Sequence, residues 1–241
     1  METNWRHITE QILAMRTLVS VAATFASAFA LADTSRAPWE LGRFVRQAAF
    51  FNAPRFGGAA TAAAPTDGSI WSASAPQGIE WGSLDDVVMG GASRSEWRAV
   101  DGRARFSGTV TTANNGGFAG VRTRSIAPPR DLSSFTGLVA RVRGDGNRYK
   151  FIVRDDNDWN GIAWTQSFDT SADGKFRDVK LPFSEFVPTL YAKTATNARP
   201  LDTASICAVQ LTLSKFEYDG GLNPNFQTGA FCLDVEEIRS Y

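Results

Sequence analysis

The chain has 241 residues, and its 25 basic and 25 acidic side chains cancel, so no global field draws it to nucleic acid. Hydrophobic residues at 43% and charged residues at 21% are the balance of a soluble globular protein, long enough for one large core plus appendages. The single histidine, His7, stands near the N-terminus, which leaves the rest of the chain without histidine for zinc sites, serine triads or acid–base work.

In chain order, residues 1–34 read as a targeting presequence. From Met15 there is a positive start at Arg16, an apolar run and then small residues resembling a cleavage site. The run is too short for a membrane span. Ala26–Ala30 resembles the cleavage motif of bipartite plastid presequences in algae with complex plastids, although Leu31 stands where those carry proline. Acidic Glu2 and Glu10 argue against a simple transit peptide, and an ordinary secretory signal is the alternative.

Residues 35–56 read as an amphipathic helix starting near Pro38. Leu41, Phe44, Val45, Ala48 and Phe51 share one face, with Arg43 and Arg46 opposite. Such a helix either meets a membrane surface or partner, or packs on its own domain. Trp39 and Phe50 fall off the apolar face, which favours the external contact. Residues 57–69, rich in Gly, Ala, Thr and Pro, read as a flexible linker.

From 70 to 241 short alternating segments recur between turn signals. Ala104, Phe106 and Val110 mark one strand within 103–111, and 120–124 continues the pattern. The runs 138–143 and 149–154 flank Gly144-Asp145-Gly146-Asn147, which predicts a hairpin. Further strands are predicted at 162–168, 176–181, 206–213 and 231–238, the last two apolar enough to be interior. Many short strands and no long helical stripe define an all-β sandwich or jelly roll. Cys207 and Cys232 lie in two of those apolar runs and read as buried free thiols rather than a bridge.

Four motifs carry candidate chemistry. Asp85-Asp86 ahead of Gly90-Gly91 invites an acid–base reading, but adjacent residues on a strand point to opposite faces, and a structural or binding role is favoured. Asn114-Asn115-Gly116-Gly117-Phe118 is either a tight turn or a set of amides for a polar partner, and Arg122 beyond it is placed to meet Asp85 or Asp86. Asp155-Asp156-Asn157-Asp158 is oxygen-rich, yet lacks the glycine and terminal glutamate of an EF-hand. Trp159 and Trp164 are either a sugar-stacking platform or core residues.

In this order the motifs resemble the complex I intermediate-associated protein 30 family, from about Trp81 to Ile238. The resemblance rests on Asp85-Asp86 through Gly90-Gly91 and Ser93, on Asn114–Phe118 with Arg122, on Gly144-Asp145-Gly146 with Tyr149, and on Leu181–Phe186. Gly229-Ala230-Phe231 with Leu233 and Ile238 closes it. It implies a galactose-binding-like jelly-roll β-sandwich over 70–241 behind an N-terminal helical and targeting extension. It further implies a non-enzymatic, chaperone-like assembly factor for a membrane electron-transfer complex, either a photosystem or NADH dehydrogenase (complex I).

On that resemblance the partner-binding residues are expected to be Asp85, Asp86, Gly90, Gly91, Asn114, Asn115, Gly116, Gly117, Phe118 and Arg122, with no catalytic residue and no metal. Partners are expected to be subunits or assembly intermediates of the membrane complex, with 38–51 as the segment for any peripheral membrane contact; DNA is not expected, and RNA would need a local basic face. Plastid relatives join the domain to a dinucleotide-binding domain, but no Gly-x-Gly-x-x-Gly unit is present here, so no cofactor is expected. Trp39–Phe44 is similar to the leader of plastid and cyanobacterial members, which favours the plastid over the mitochondrion. The rival reading is a carbohydrate-binding module using Trp159 or Trp164.

Overall fold

The computed structural model of the chain describes residues 37–52, 68–76, 78–158 and 161–241. The expected presequence, most of the expected linker and Trp159 therefore lie outside the described residues. Two antiparallel sheets stack face to face. One joins β3 (Arg94–Val100), β4 (Arg103–Val110), β13 (Gly229–Ser240), β6 (Gly137–Arg143) and β9 (Arg177–Pro182), in that order, with β1 (Ser69–Ser72) also paired to β13. The other runs β11 (Lys193–Thr194), β10 (Val187–Leu190), β8 (Ala163–Asp169), β7 (Arg148–Arg154), β12 (Ala208–Ser214), β5 (Phe118–Thr123), β2 (Trp81–Ser83). The protein is thus an all-β sandwich, as its alternating segments predict.

The alternation works because successive side chains on a strand point to opposite faces. Ala104, Phe106 and Val110 of β4 are buried, as are Val209, Leu211 and Leu213 of β12. From the two sheets they meet Phe231, Leu233, Tyr149 and Phe151 in one core, where the Phe106 and Phe231 rings lie 4.9 Å apart edge to face. Each such side chain contributes roughly 1.5–3 kcal/mol by leaving water. Tyr149 is fully buried and satisfies its hydroxyl by donating to both oxygens of Asp145 at 3.0 Å.

Gly144–Asn147 corrects one expectation. β6 and β7 do not pair; they belong to different sheets, so this segment crosses the end of the sandwich rather than closing a hairpin. Asp145 explains the difference, because its carboxylate accepts from Tyr149, from Asn147 N (3.1 Å) and from Cys232 N on β13 (2.8 Å). Those contacts pull the turn over the core's edge, which a Gly/Asp/Asn turn signal cannot reveal. Both cysteines are free, with Cys207 buried and its thiol pushed up to about 11, chiefly by that burial.

The α-helix α1 (Leu41–Asn52) lies against β2 and the turn that follows it. Its docked side takes in only part of the apolar stripe. Gln47 is the buried residue of the helix, Arg43 faces inward, and Phe50 packs where a side chain at Gly82 would stand 2.3 Å from its ring. Arg124 covers the same ring at 4.4 Å, and Trp39 donates through Nε1 to Val87 O at 3.0 Å. Trp39 and Phe50, expected to make an external contact, therefore hold the helix to its own domain, while Leu41 and Val45 remain 46% and 44% exposed. No helix among the described residues is long and apolar enough to cross a membrane.

Candidate functional site

The segment after β2 enters a single 3₁₀ turn at Asp86–Met89 and leaves it through Gly90 in the left-handed region, φ 85°. This turn breaks the alternation, and both carboxylates point into the protein. Asp85 is 2% exposed and Asp86 is completely buried.

Asp86 is surrounded by donors of its own chain. Its Oδ1 accepts from Ser93 N at 2.9 Å; its Oδ2 accepts from Ser93 Oγ at 2.7 Å, Gly117 N at 2.7 Å and Phe118 N at 3.3 Å. The close approach dictates the glycines. A Cβ on Gly91 would stand 2.3 Å from the Asp86 carboxyl carbon, and one on Gly116 2.3 Å from its Oδ2. The Gly-Gly and Asn-Asn-Gly-Gly motifs, some 25 residues apart in sequence, thus close around one carboxylate.

Asp85 serves the other side of the same strand edge. It accepts from Ser95 Oγ at 2.6 Å, Ser95 N at 3.1 Å, Gly120 N at 3.3 Å and Arg43 Nη2 at 3.1 Å. Burial pushes its carboxyl above the ordinary range, against the hydrogen bonds from Ser95 and Gly120 and the charge of Arg43. Its backbone is clasped by Gln47, whose Oε1 accepts from Asp85 N at 3.2 Å and whose Nε2 donates to Asp85 O at 3.3 Å. Arg43 also donates to Ser93 O at 2.6 Å, and Ser83 Oγ to Ser95 O at 2.6 Å. Both backbone groups of Ser93 and of Ser95 are thereby taken up by side chains.

Of the sequence-predicted residues, Gly91, Gly116 and Gly117 are buried beside Asp86, and Gly90 and Phe118 are half-buried. Asn114 donates to Ala37 O at 2.8 Å and Gly90 O at 2.9 Å, tying the two loops to the lead-in of α1, while Asn115 is exposed. Arg122 is buried but stands apart from the carboxylates. It lies beneath the Phe51 ring at 5.7 Å, and its pKa is lowered to about 10 by burial and by the charge of Arg154. The cation that reaches Asp85 is Arg43, which corrects the expected pairing with Arg122. Sequence reasoning missed Arg43, Gln47 and Ser95; the signal for the last was the Ser93-x-Ser95 alternation on a polar edge strand.

Breaking the Arg43–Asp85 pair leaves a buried carboxylate with one donor fewer and frees Ser93 O, at a cost of about 2–3 kcal/mol. Arg43→Ala is therefore expected to speed amide hydrogen exchange across 41–52 by on the order of a hundredfold, leaving β12 and β13 unchanged. Unaltered exchange in the helix would show that the pair does not hold α1.

The other motifs find structural employment. Asp155 accepts from Arg199 Nη1 at 2.6 Å and Asp202 N at 2.8 Å, and no acidic, histidine or cysteine cluster among the described residues is arranged to hold a metal. Trp164 is buried in the core, so it offers no platform for a sugar.

A two-sheet antiparallel sandwich of this kind is shared with carbohydrate-binding modules. The family 11 module of the cellulase Lic26A-Cel5E from Clostridium thermocellum superposes with a TM-score of 0.50 at 19% identity, over 66% of this chain and 86% of its own. The same module in complex with a mixed-linked tetrasaccharide aligns at 0.48 and 21% identity, covering 66% and 87%. An uncharacterized protein of Schizosaccharomyces pombe is 29% identical over 173 residues, 66% of this chain and 76% of that protein. Residues 71–235 match the family described as Complex I intermediate-associated protein 30 (CIA30). The chain belongs to that family.

Proposed function

We propose that this protein is a non-enzymatic assembly factor that holds unfinished intermediates of a membrane electron-transfer complex, a photosystem or complex I. The observation that carries this reading is the CIA30 match across 71–235, nearly the whole sandwich. The geometry supports it from the negative side. Asp85 and Asp86, the one carboxylate pair that invited an acid–base role, are consumed by hydrogen bonds from their own chain.

In this reading the motif acts in two layers. Asp85, Asp86, Gly91, Gly116 and Gly117 work from beneath, fixing the loops, and the outward side of those loops, Gly90 and Asn115, meets the partner. The organelle is the plastid, with the mitochondrion as the alternative, on the N-terminal features of the sequence. Deleting the gene is the test. Loss of the assembled complex with normal synthesis of its subunits is expected, and unchanged complex levels would overturn the proposal.

A further inference from the structure

The two outer sides of the sandwich differ in kind. On the six-stranded sheet the outward row is ionic. Arg105 and Arg143, the cross-strand neighbours of Asp234, both hydrogen-bond its carboxylate, and Arg141 pairs with Glu236 and Asp178. None of the exposed large hydrophobics among the described residues lies on a strand of that sheet. They belong to α1, to the end of β10 and to the segments that follow β2, β10 and β12, all strands of the seven-stranded sheet.

Met89, 69% exposed, ends the turn after β2. Tyr191, 78% exposed, stands with Leu190 at the tip between β10 and β11. Phe216 and Leu222 face each other across an isolated bridge in the 215–222 loop, with Leu222 73% exposed. These tips are tied in series by polar bonds. Asn114 donates to Gly90 O, Lys215 Nζ to Asn115 O at 3.4 Å, and Asp219 N to Ala192 O at 3.0 Å. The 215–222 loop is also pinned across the sheet, with Lys150 Nζ donating to Glu217 O at 2.6 Å and Tyr218 OH to Thr165 O at 3.3 Å. The apolar side chains are therefore displayed on braced loops.

Charge on this side is asymmetric. Arg46 and Lys193 are exposed, and Lys215 lies beside the Phe216 ring at 5.0 Å. Of the carboxylates in and beside the same segments, Glu40 is paired with Arg43 and Arg94 and Glu217 with Arg148, which leaves Asp219, bonded to the neutral Thr194, as the exposed anion among them. Protruding apolar tips interleaved with cations suit a layer whose surface is anionic and whose interior is apolar.

We propose that this side of the sandwich rests on an anionic phospholipid membrane, with Met89, Tyr191, Phe216 and Leu222 entering the headgroup layer and Arg46, Lys193 and Lys215 meeting lipid phosphates. The inference stands apart from the assembly reading, since it concerns the surface the domain sits on and not the partner it holds.

Sedimentation of the full chain with vesicles tests it, using phosphatidylcholine alone and phosphatidylcholine with phosphatidylglycerol. Binding to the anionic vesicles is expected. The triple variant Met89→Ser, Tyr191→Ser, Leu222→Ser should bind about tenfold more weakly or worse. Lys193→Glu with Lys215→Glu should remove the preference for phosphatidylglycerol. Should the triple variant fail to fold, Leu222→Ser alone must still weaken binding. Wild-type protein that ignores both vesicles, or a folded triple variant that binds like wild type, overturns the proposal. So does a wild type that ignores vesicles but loses a co-purifying protein on the triple substitution, which would make the surface a protein dock.

Discussion

Replacing Asp86 with alanine is expected to cost about 3–5 kcal/mol of folding stability, the largest effect of any single substitution in the motif. The carboxylate is wholly buried and takes three backbone N–H groups and one hydroxyl. Removing it orphans the N–H groups of Ser93, Gly117 and Phe118 in a space walled by glycine Cα atoms. Ser93 Oγ loses less, because its single proton can turn to Thr111 O and it still accepts from Thr111 N. Asp86→Asn keeps one acceptor but turns an amide N–H₂ towards donors, so its cost should fall between wild type and alanine. Urea unfolding with an unchanged m-value reads the effect. A loss under about 1 kcal/mol, the ordinary cost of a single net hydrogen bond, would mean that water replaces the carboxylate and that the motif is not a structural keystone.

Gly91→Ala is the second large effect, expected at about 3 kcal/mol, the upper range for overpacking a filled site. The new methyl would stand 2.3 Å from Cγ and 2.4 Å from Oδ1 of Asp86. The carboxylate cannot swing aside without releasing its four donors, so the clash and the hydrogen bonds oppose each other. Combining Gly91→Ala with Asp86→Ala should therefore cost clearly less than the sum of the two, because the second change removes the obstacle of the first. Gly90 supplies the contrast. It has φ of 85° but nothing within 4 Å of a Cβ, so Gly90→Ala should lose only about 1–2 kcal/mol, the cost of left-handed backbone for a residue with a side chain. Additive losses at 86 and 91 would refute the shared origin.

The contrast between neighbouring glycines shows how far the sequence could be read. Strand positions were legible because one buried face forces a period of two: Phe106 and Val110, or Leu211 and Leu213, alternate with polar residues or with groups on the outer face. Sheet membership was not legible at Gly144–Asn147, because a Gly/Asp/Asn turn looks the same whether its flanking strands pair or part; the deciding contact is Asp145 to Cys232 N, 87 residues away. At the motif, residue types pointed to a special backbone but not to its direction. Asp85 is the extended residue that leads into the 3₁₀ turn begun by Asp86. Although the two carboxylates go to different sides, both sides are buried, which a strand rule that puts one side in solvent does not foresee. Helix α1 was legible as a helix and not as to its docked side. A hydrophobic stripe predicts the buried face only where burial is driven by apolar area, and here Arg43 and Gln47 dock through ionic and amide bonds to Asp85.

The saturation of Ser93 and Ser95 reaches beyond the motif. β3 is the outer strand of its sheet, pairing with β4 on one side only. The N–H and C=O groups that such a strand turns outward are a template on which another chain can add itself as a new strand. At Ser93 and Ser95 that template is cancelled, group by group, by Asp86, Asp85, Arg43 and Ser83. On the proposed assembly role the partners would be incomplete chains, and an open edge strand would risk recruitment into their aggregates. The acidic pair and the helix it anchors make this end of β3 inert to that recruitment, so weakening the clasp would show first in self-association and only later in lost fold.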